Sequence, residues 1–405
     1  MKKRIYWVLW RAGLAGILAG GALLFFSRPA APAQQKPETP EQIQPNPSKQ
    51  SESEPPPAEP SEAGPAGIFG QYQARAQRLL DQMTPEQKIG QVFLVRCPEK
   101  GQLEEVQALY PGGLLLFGRD FKGKSGEQVR QQIQSYQAQA SIPLLIGVDE
   151  EGGTVCRVSG VPELRAERFP SPQQLYQAGG LEAVRADAAE KSRLLLSLGI
   201  NLNLAPVADV SQDPRHFIYP RTLGQDAEHT AQYVEAVVET AQREGVGAVM
   251  KHFPGYGGNA DTHAGAAWDS RSLAQLEAAD LLPFQAGMEA GSQGILVSHS
   301  IVECLDPERP ASLSPAVYQY LREEMGFSGA ALTDDLAMGA VGGYQGGEAA
   351  AQALRAGADL LIVSDFPPAV QAVRQAIGQG TLAWERVDQA ALRVLEWKLA
   401  LGILD

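Results

Sequence analysis

Lys251-His252-Phe253-Pro254-Gly255-Tyr256-Gly257-Gly258-Asn259-Ala260-Asp261-Thr262-His263 gathers the residues best suited to moving protons. Two of the chain's five histidines and an aspartate lie in it. Asp261 and His263 are two apart, so an extended backbone points both to the same side. A carboxylate placed there orients an imidazole and stabilises its charged form, which makes a tuned proton donor. The three glycines and the proline exclude a helix or strand interior and leave a loop. A plain Gly-rich surface loop is the bland alternative. A Lys-His pair at the end of an apolar run, followed by Asp-x-His, favours chemistry.

Three other segments carry candidate groups. In Gly147-Val148-Asp149-Glu150-Glu151-Gly152-Gly153-Thr154-Val155-Cys156-Arg157, three acids precede two glycines. A carboxylate such as Asp149 can accept hydrogen bonds from hydroxyls, and Arg157 can add a donor fork. A calcium loop would alternate its oxygen ligands as this segment does not, so a sugar-binding edge is preferred. Arg221-Thr222-Leu223-Gly224 lies in a long connection, where functional residues concentrate. In Thr333-Asp334-Asp335, Asp334 is a candidate nucleophile toward an anomeric carbon, and Asp335 a helix cap.

These segments follow short apolar runs at Ile89 to Val95, Gly113 to Phe117, Leu144 to Val148, Asn201 to Pro206, Val246 to Met250, Gly294 to Ser298, Ala330 to Thr333 and Asp359 to Val363. Helical patterns separate them, among them Glu127 to Ala140, Thr230 to Glu244, Ser272 to Ala290 and Trp384 to Leu401. Eight strands alternating with helices predict an α/β fold, a single (β/α)8 TIM-type barrel. An open doubly wound sheet is the alternative, and the lack of a Gly-rich dinucleotide fingerprint lowers it. In a barrel, Arg96, Arg119, Asp149, Asp209, Lys251, His299, Asp334 and Asp365 all fall near the carboxyl ends of strands, the catalytic face.

The chain has 405 residues, 44% hydrophobic, enough for one large barrel. Its formal net charge of −13 argues against nucleic-acid binding. Cys97, Cys156 and Cys304 show no metal-ligand spacing and are too few for a disulfide scaffold. Residues 1–26 carry Lys2, Lys3 and Arg4 and then an apolar run interrupted at Arg11. They read as a signal peptide or, through residues 5–26, a membrane anchor, and both place the rest outside the cytoplasm. Residues 27–67 are rich in Pro, Gln, Glu and Ser and are expected to be a disordered linker. Residues 68–405 are the expected catalytic barrel.

Together the motifs resemble glycoside hydrolase family 3, in particular its β-N-acetylglucosaminidases. Lys251 to His263 is similar to K-H-[FI]-P-G-x-G followed by D-[ST]-H, Thr333-Asp334 to [ST]-D, Asp149 to Arg157 to D-x-E-G-G-x-V-x-R, and Arg221 to Gly224 to R-[ST]-[FL]-[GS]. Met83-Thr84-Pro85-Glu86-Gln87-Lys88-Ile89-Gly90-Gln91 resembles the family's opening motif. The resemblance implies a retaining exo-hydrolase acting on terminal β-linked N-acetylglucosamine of wall muropeptides or related amino-sugar oligosaccharides. Asp334 would be the nucleophile, His263 with Asp261 the acid/base, and Asp149, Arg157, Arg221, Lys251 and His252 the sugar-holding residues. No metal or organic cofactor is implied, and a monomer is expected. The rivals are a β-glucosidase or broad β-hexosaminidase of the family, and a non-catalytic carbohydrate-binding wall protein. The chain departs from the pattern at Tyr256, where a histidine is usual, and in a loop one residue shorter between Gly257 and Asp261. It also lacks a proline after His263.

Overall fold

Short apolar runs form eight parallel strands in the computed structural model, which describes residues 67–99, 101–259, 267–343 and 347–404. They are β1 (Phe93–Arg96), β2 (Gly113–Leu116), β3 (Leu145–Val148), β4 (Leu202–Asn203), β5 (Gly247–Phe253), β6 (Gly294–Val297), β7 (Ala330–Thr333) and β8 (Leu361–Val363). Each pairs in parallel with the next from β1 to β7, and β8 pairs with β1. A parallel bridge between Leu332 and Leu360 joins β7 to the start of β8 and completes the circuit. The α/β fold is therefore an eight-stranded parallel barrel of the TIM type.

Alternation within the strands builds two cores. Leu94, Leu115, Leu145, Leu202, Val249, Leu296, Leu332 and Ile362 fill the barrel interior. Val95, Leu114, Ile146, Ala248, Ile295, Ala331 and Leu361 belong to the core under the surrounding helices. Both faces are thus apolar, which is why these runs show no polar alternation. The last helix, Trp384–Ala400, closes the amino-terminal end of the barrel. Its Trp397 is fully buried in the interior cluster and donates from Nε1 to Gln293 Oε1 at 2.8 Å. A Cβ on Gly294, at the start of β6, would come within 2.9 Å of that ring, so glycine permits the approach. With that end plugged, the carboxyl ends of the strands are left for the site.

Capping boxes start four helices: Thr84 with Gln87, Ser125 with Gln128, Ser171 with Gln174, and Ser272 with Gln275. The first corrects the expected strand from Ile89. Thr84, Gln87 and Pro85 at the first helical position commit Pro85–Gln91 to helix, and β1 begins only at Phe93. The expected helix Ser272 to Ala290 is two helices, Leu273–Glu277 and Leu281–Glu289. Helix Phe366–Gly378 adds to the expected elements, and its Pro367 and Pro368 fall in the first helical turn, which tolerates them.

The expected signal or anchor (residues 1–26), residues 27–66 of the linker, and Asp261 and His263 lie outside the described residues. Among the described residues, no helix is long and apolar enough to cross a membrane.

Candidate active site

Asp149, Glu150 and Glu151 follow β3 directly, and an extended backbone sends them to alternating sides. Glu150–Gly152 pairs with Val155–Cys156 as a small antiparallel hairpin. Glu150 turns inward and is fully buried, accepting hydrogen bonds from the Val158 N–H at 2.7 Å and the Ser159 N–H at 3.1 Å. It holds its own loop. Asp149 and Glu151 face the other way, into a cavity of about 360 Å³ at the carboxyl end of the barrel.

Lys251 and His252 reach the same cavity from β5. In a regular strand, neighbours point to opposite faces. Here the β5–β6 ladder shifts between Lys251 and Phe253: Lys251 opposes Leu296 while Phe253 opposes Val297. His252 is the extra residue of a bulge, a device that re-aims side chains. The peptides Lys251–His252, Phe253–Pro254 and Ala205–Pro206 are cis.

An interlocked charge network results. Lys251 Nζ lies 2.5 Å from Asp149 Oδ1 and 2.7 Å from Glu151 Oε1. Arg221 grips Glu151 with two bonds, Nε to Oε2 at 2.9 Å and Nη2 to Oε1 at 2.7 Å. Arg221 Nη2 also lies 3.1 Å from His252 Nε2, and His252 Nδ1 lies 2.7 Å from Asp209 Oδ2. Burial opposes the charge on Glu151, but Lys251 and Arg221 outweigh it and hold the carboxyl well below the usual range. Burial likewise opposes the charge on Lys251, and Asp149 and Glu151 raise its pKa. Arg157 stands at the edge, with Nε 4.0 Å from Asp149 Oδ2 and its guanidinium 5.5 Å from the Phe117 ring centre.

Asp334 enters from the end of β7, half-buried in the cavity wall. Its N–H donates to Val297 O at 3.0 Å, and the Asp335 N–H donates to its Oδ1 at 2.8 Å. Burial disfavours its charge, but His299, His252, the Asp335 N–H and Lys251 lower its pKa. An ionised carboxylate held in this way can act as a nucleophile or stabilise a developing positive charge. Asp335 accepts from the Ala337 N–H at 3.0 Å, a turn closure rather than the expected cap of an α-helix.

The model of the glycosyl hydrolase family 3 N-terminal domain matches residues 84–397. The chain belongs to glycoside hydrolase family 3. It is similar to the β-hexosaminidase LpqI of Mycobacterium tuberculosis, 32% identical over 333 residues, covering 78% of this chain and 83% of that protein. A β-hexosaminidase of Xanthomonas oryzae is 36% identical over 297 residues, covering 72% of this chain and 85% of the relative. Among solved structures, the family 3 β-N-acetylglucosaminidase of Paenibacillus sp. superposes with a TM-score of 0.74 at 31% identity. That match covers 79% of this chain and 63% of the Paenibacillus chain, so the shared part is less than two thirds of that structure. The protein is a glycoside hydrolase.

Within this family 3 barrel, six of the eight site residues expected from sequence line one cavity: Asp149, Arg157, Arg221, Lys251, His252 and Asp334. Asp261 and His263 are in the part of their loop that is not described. Two buried carboxylates complete the network: Glu151, which sequence reasoning gave no role of its own, and Asp209, which it placed at the catalytic face without a role. Glu151 pairs with both Lys251 and Arg221. Asp209 accepts from His252 Nδ1 and from the N–H groups of His252 at 3.2 Å and Tyr256 at 2.8 Å. The Tyr256 ring, at the position where a histidine is usual, packs 4.9 Å from that of His252 and 5.0 Å from that of Phe217.

Proposed function

We propose that the protein is a retaining β-N-acetylglucosaminidase that removes terminal, non-reducing N-acetylglucosamine. The observation that carries this reading is the ionised Asp334 sharing one cavity with the buried network of Asp149, Glu151, Arg221, Lys251 and His252. Such a network offers fixed donors and acceptors to the hydroxyls of one sugar ring. The β-hexosaminidase names of the relatives support the choice of an amino sugar.

In the first step, an Asp334 oxygen attacks the anomeric carbon and the glycosidic C–O bond breaks. The leaving oxygen takes a proton from His263, which Asp261 orients. In the second step, His263 takes a proton from water, the water oxygen attacks the same carbon, and the Asp334 carboxylate is released. Asp149, Arg157, Arg221, Lys251 and His252 hold the sugar. The basic start, the apolar run and the polar linker support export or anchoring outside the cytoplasm, where wall-derived amino-sugar oligosaccharides are available.

Incubation with a 2-fluoro N-acetylglucosamine analogue, followed by peptide mass analysis, is expected to place the adduct on Asp334. An adduct on another residue would falsify the mechanism. Asp334→Ala and His263→Ala are each expected to lower turnover of a natural disaccharide by about 10²–10⁴-fold. A preference for nitrophenyl glucoside over nitrophenyl N-acetylglucosaminide would refute the substrate assignment.

A further inference from the structure

We propose that Lys191, held by Asp187, is a positioning residue for the sugar-holding network: it fixes the main chain of Glu151 from behind, so that the Glu151 carboxylate meets Lys251 and Arg221. The proposal rests on the sugar-holding role given to that network above.

Glu151 stands where the backbone does little to hold it. In the hairpin that follows β3, Glu150 pairs with Cys156 and Gly152 with Val155, so Glu151 is the extra residue of a bulge. Gly152 and Gly153 come next, with φ of 102° and 63°, a turn that glycine adopts at little cost. Packing does not fill the space behind. A cavity of about 20 Å³, room for one water, lies there, and Glu151, Asp187, Lys191 and Tyr233 are among the residues that line it. The carboxylate nevertheless has to be placed closely, because its two oxygens meet Lys251 Nζ at 2.7 Å and Arg221 at 2.9 and 2.7 Å.

Lys191 supplies the support. It comes from helix Pro172–Leu198, whose buried side carries Val184, Ala188, Leu195 and Leu198. Asp187 and Lys191 stand on that same side, one turn apart, with Nζ 2.9 Å from Asp187 Oδ2. Both are more than nine-tenths buried. An ion pair among apolar neighbours loses hydration that its own attraction barely offsets, so it is a poor device for stability alone. What it provides is a cation in a fixed place. Lys191 Nζ donates to the Glu151 carbonyl at 3.2 Å and lies 5.1 Å from the centre of the Phe169 ring. A buried carbonyl that a bulge takes out of the ladder needs such a donor. The contact is to the main chain, so Lys191 does not compete with Lys251 and Arg221 for the carboxylate. It acts through Glu151, from outside the wall of the substrate cavity.

The test follows turnover of nitrophenyl N-acetylglucosaminide and calorimetric binding of N-acetylglucosamine by the full-length protein. Lys191→Met is expected to raise KM and the Kd of N-acetylglucosamine about ten-fold, with kcat changed only about two- to three-fold. Lys191→Arg keeps a charged donor and should recover most of the wild-type KM. In a Glu151→Gln background, Lys191→Met should raise KM little further, because the pairing that Lys191 aligns is already gone. Asp187→Leu combined with Lys191→Met removes both buried charges. That variant should melt near the wild-type temperature and still show the raised KM, which separates positioning from folding. An unchanged KM in either folded variant overturns the proposal. So does an equal rise in KM with and without Glu151→Gln. Failure of both variants to fold overturns it as well, since it makes the pair purely structural. If the wild type turns over and the variants match it, only this proposal is wrong. If the wild type neither binds the sugar nor releases nitrophenol, the reading of the network falls first and this proposal falls with it.

Discussion

Glu151 carries more of the site than its place in a run of three acids suggests. It stands two residues from Asp149, the same spacing that pairs Asp261 with His263, so its direction was legible in the sequence. Its partners were not, because Lys251 and Arg221 are brought to it from β5 and from the long connection after β4. The spacing of residues along one strand says which side chains share a face. It does not say what arrives from other strands. Replacing Glu151 by Gln leaves Lys251 with Asp149 alone and Arg221 without a charged partner. Breaking a buried pair in this way costs about 3–5 kcal/mol. Urea unfolding of Glu151→Gln at neutral pH is expected to show a loss of that order, together with a lower kcat/KM. The sign with pH follows from a carboxyl held below its usual range. Its contribution is complete above the unfolded-state value, about pH 4, and is lost as the solution is acidified further. The gap between wild type and Glu151→Gln should therefore narrow below about pH 4. A gap that stays constant there would remove Glu151 from the charged network.

At the scale of elements, the strands were legible because each is a short apolar run buried on both faces, and β7 has the limits expected of it. Elements set by local backbone chemistry were less so, as the helix Pro85–Gln91 and the break near Ala278 to Asp280 show. That break serves the start of the loop after β5. Asp280 lies in it and, with Asp269, clamps Arg271: Arg271 Nη1 is 2.5 Å from Asp280 Oδ2, and Nη2 is 2.6 Å from Asp269 Oδ2. Arg271 Nη2 also donates to Gly255 O at 3.4 Å, and a Cβ on Gly257 would come within 2.6 Å of the guanidinium. The loop that carries Asp261 and His263 is thus fastened at its start by one arginine. On the proposed mechanism, Arg271→Met loosens the proton donor without touching substrate. Substrates whose leaving group needs protonation, such as a disaccharide, are expected to lose about 10–100-fold in kcat/KM. A dinitrophenyl glycoside, whose leaving group departs unprotonated, should lose only a few-fold. Equal losses for both would make Arg271 a purely structural residue.

For the whole molecule, the eight strand-like runs and the missing dinucleotide fingerprint favoured a barrel, but periodicity alone does not decide closure, since it is the same in an open sheet and a barrel. Closure depends on the pairing of β8 with β1, on the Leu332–Leu360 bridge between β7 and β8, and on the last helix packed across the amino-terminal end. Asp359 lies at that seam, fully buried, and accepts from Arg322, Arg386 and Arg393 at 2.5, 2.8 and 2.9 Å. Burial works against its charge, yet the three arginines lower its pKa to about 2. The same last helix contributes a cation with no such compensation. Lys398 is fully buried, and among the described residues its side chain makes one hydrogen bond, from Nζ to Gln91 Oε1 at 2.6 Å. Burial pushes its pKa down to about 7 from 10.5. Between those values the unfolded chain binds more protons than the folded one, so this group makes the protein more stable as pH rises through that window. Below about pH 7 the full penalty applies, on the order of 4 kcal/mol. Lys398→Met removes it but strands the Gln91 oxygen, at a cost of about 1–3 kcal/mol. The penalty is the larger of the two. Urea unfolding at pH 6 should show Lys398→Met more stable than wild type by roughly 1–3 kcal/mol, with the gain gone or reversed at about pH 10. A destabilised variant at pH 6 would mean that the Gln91 contact outweighs the buried charge.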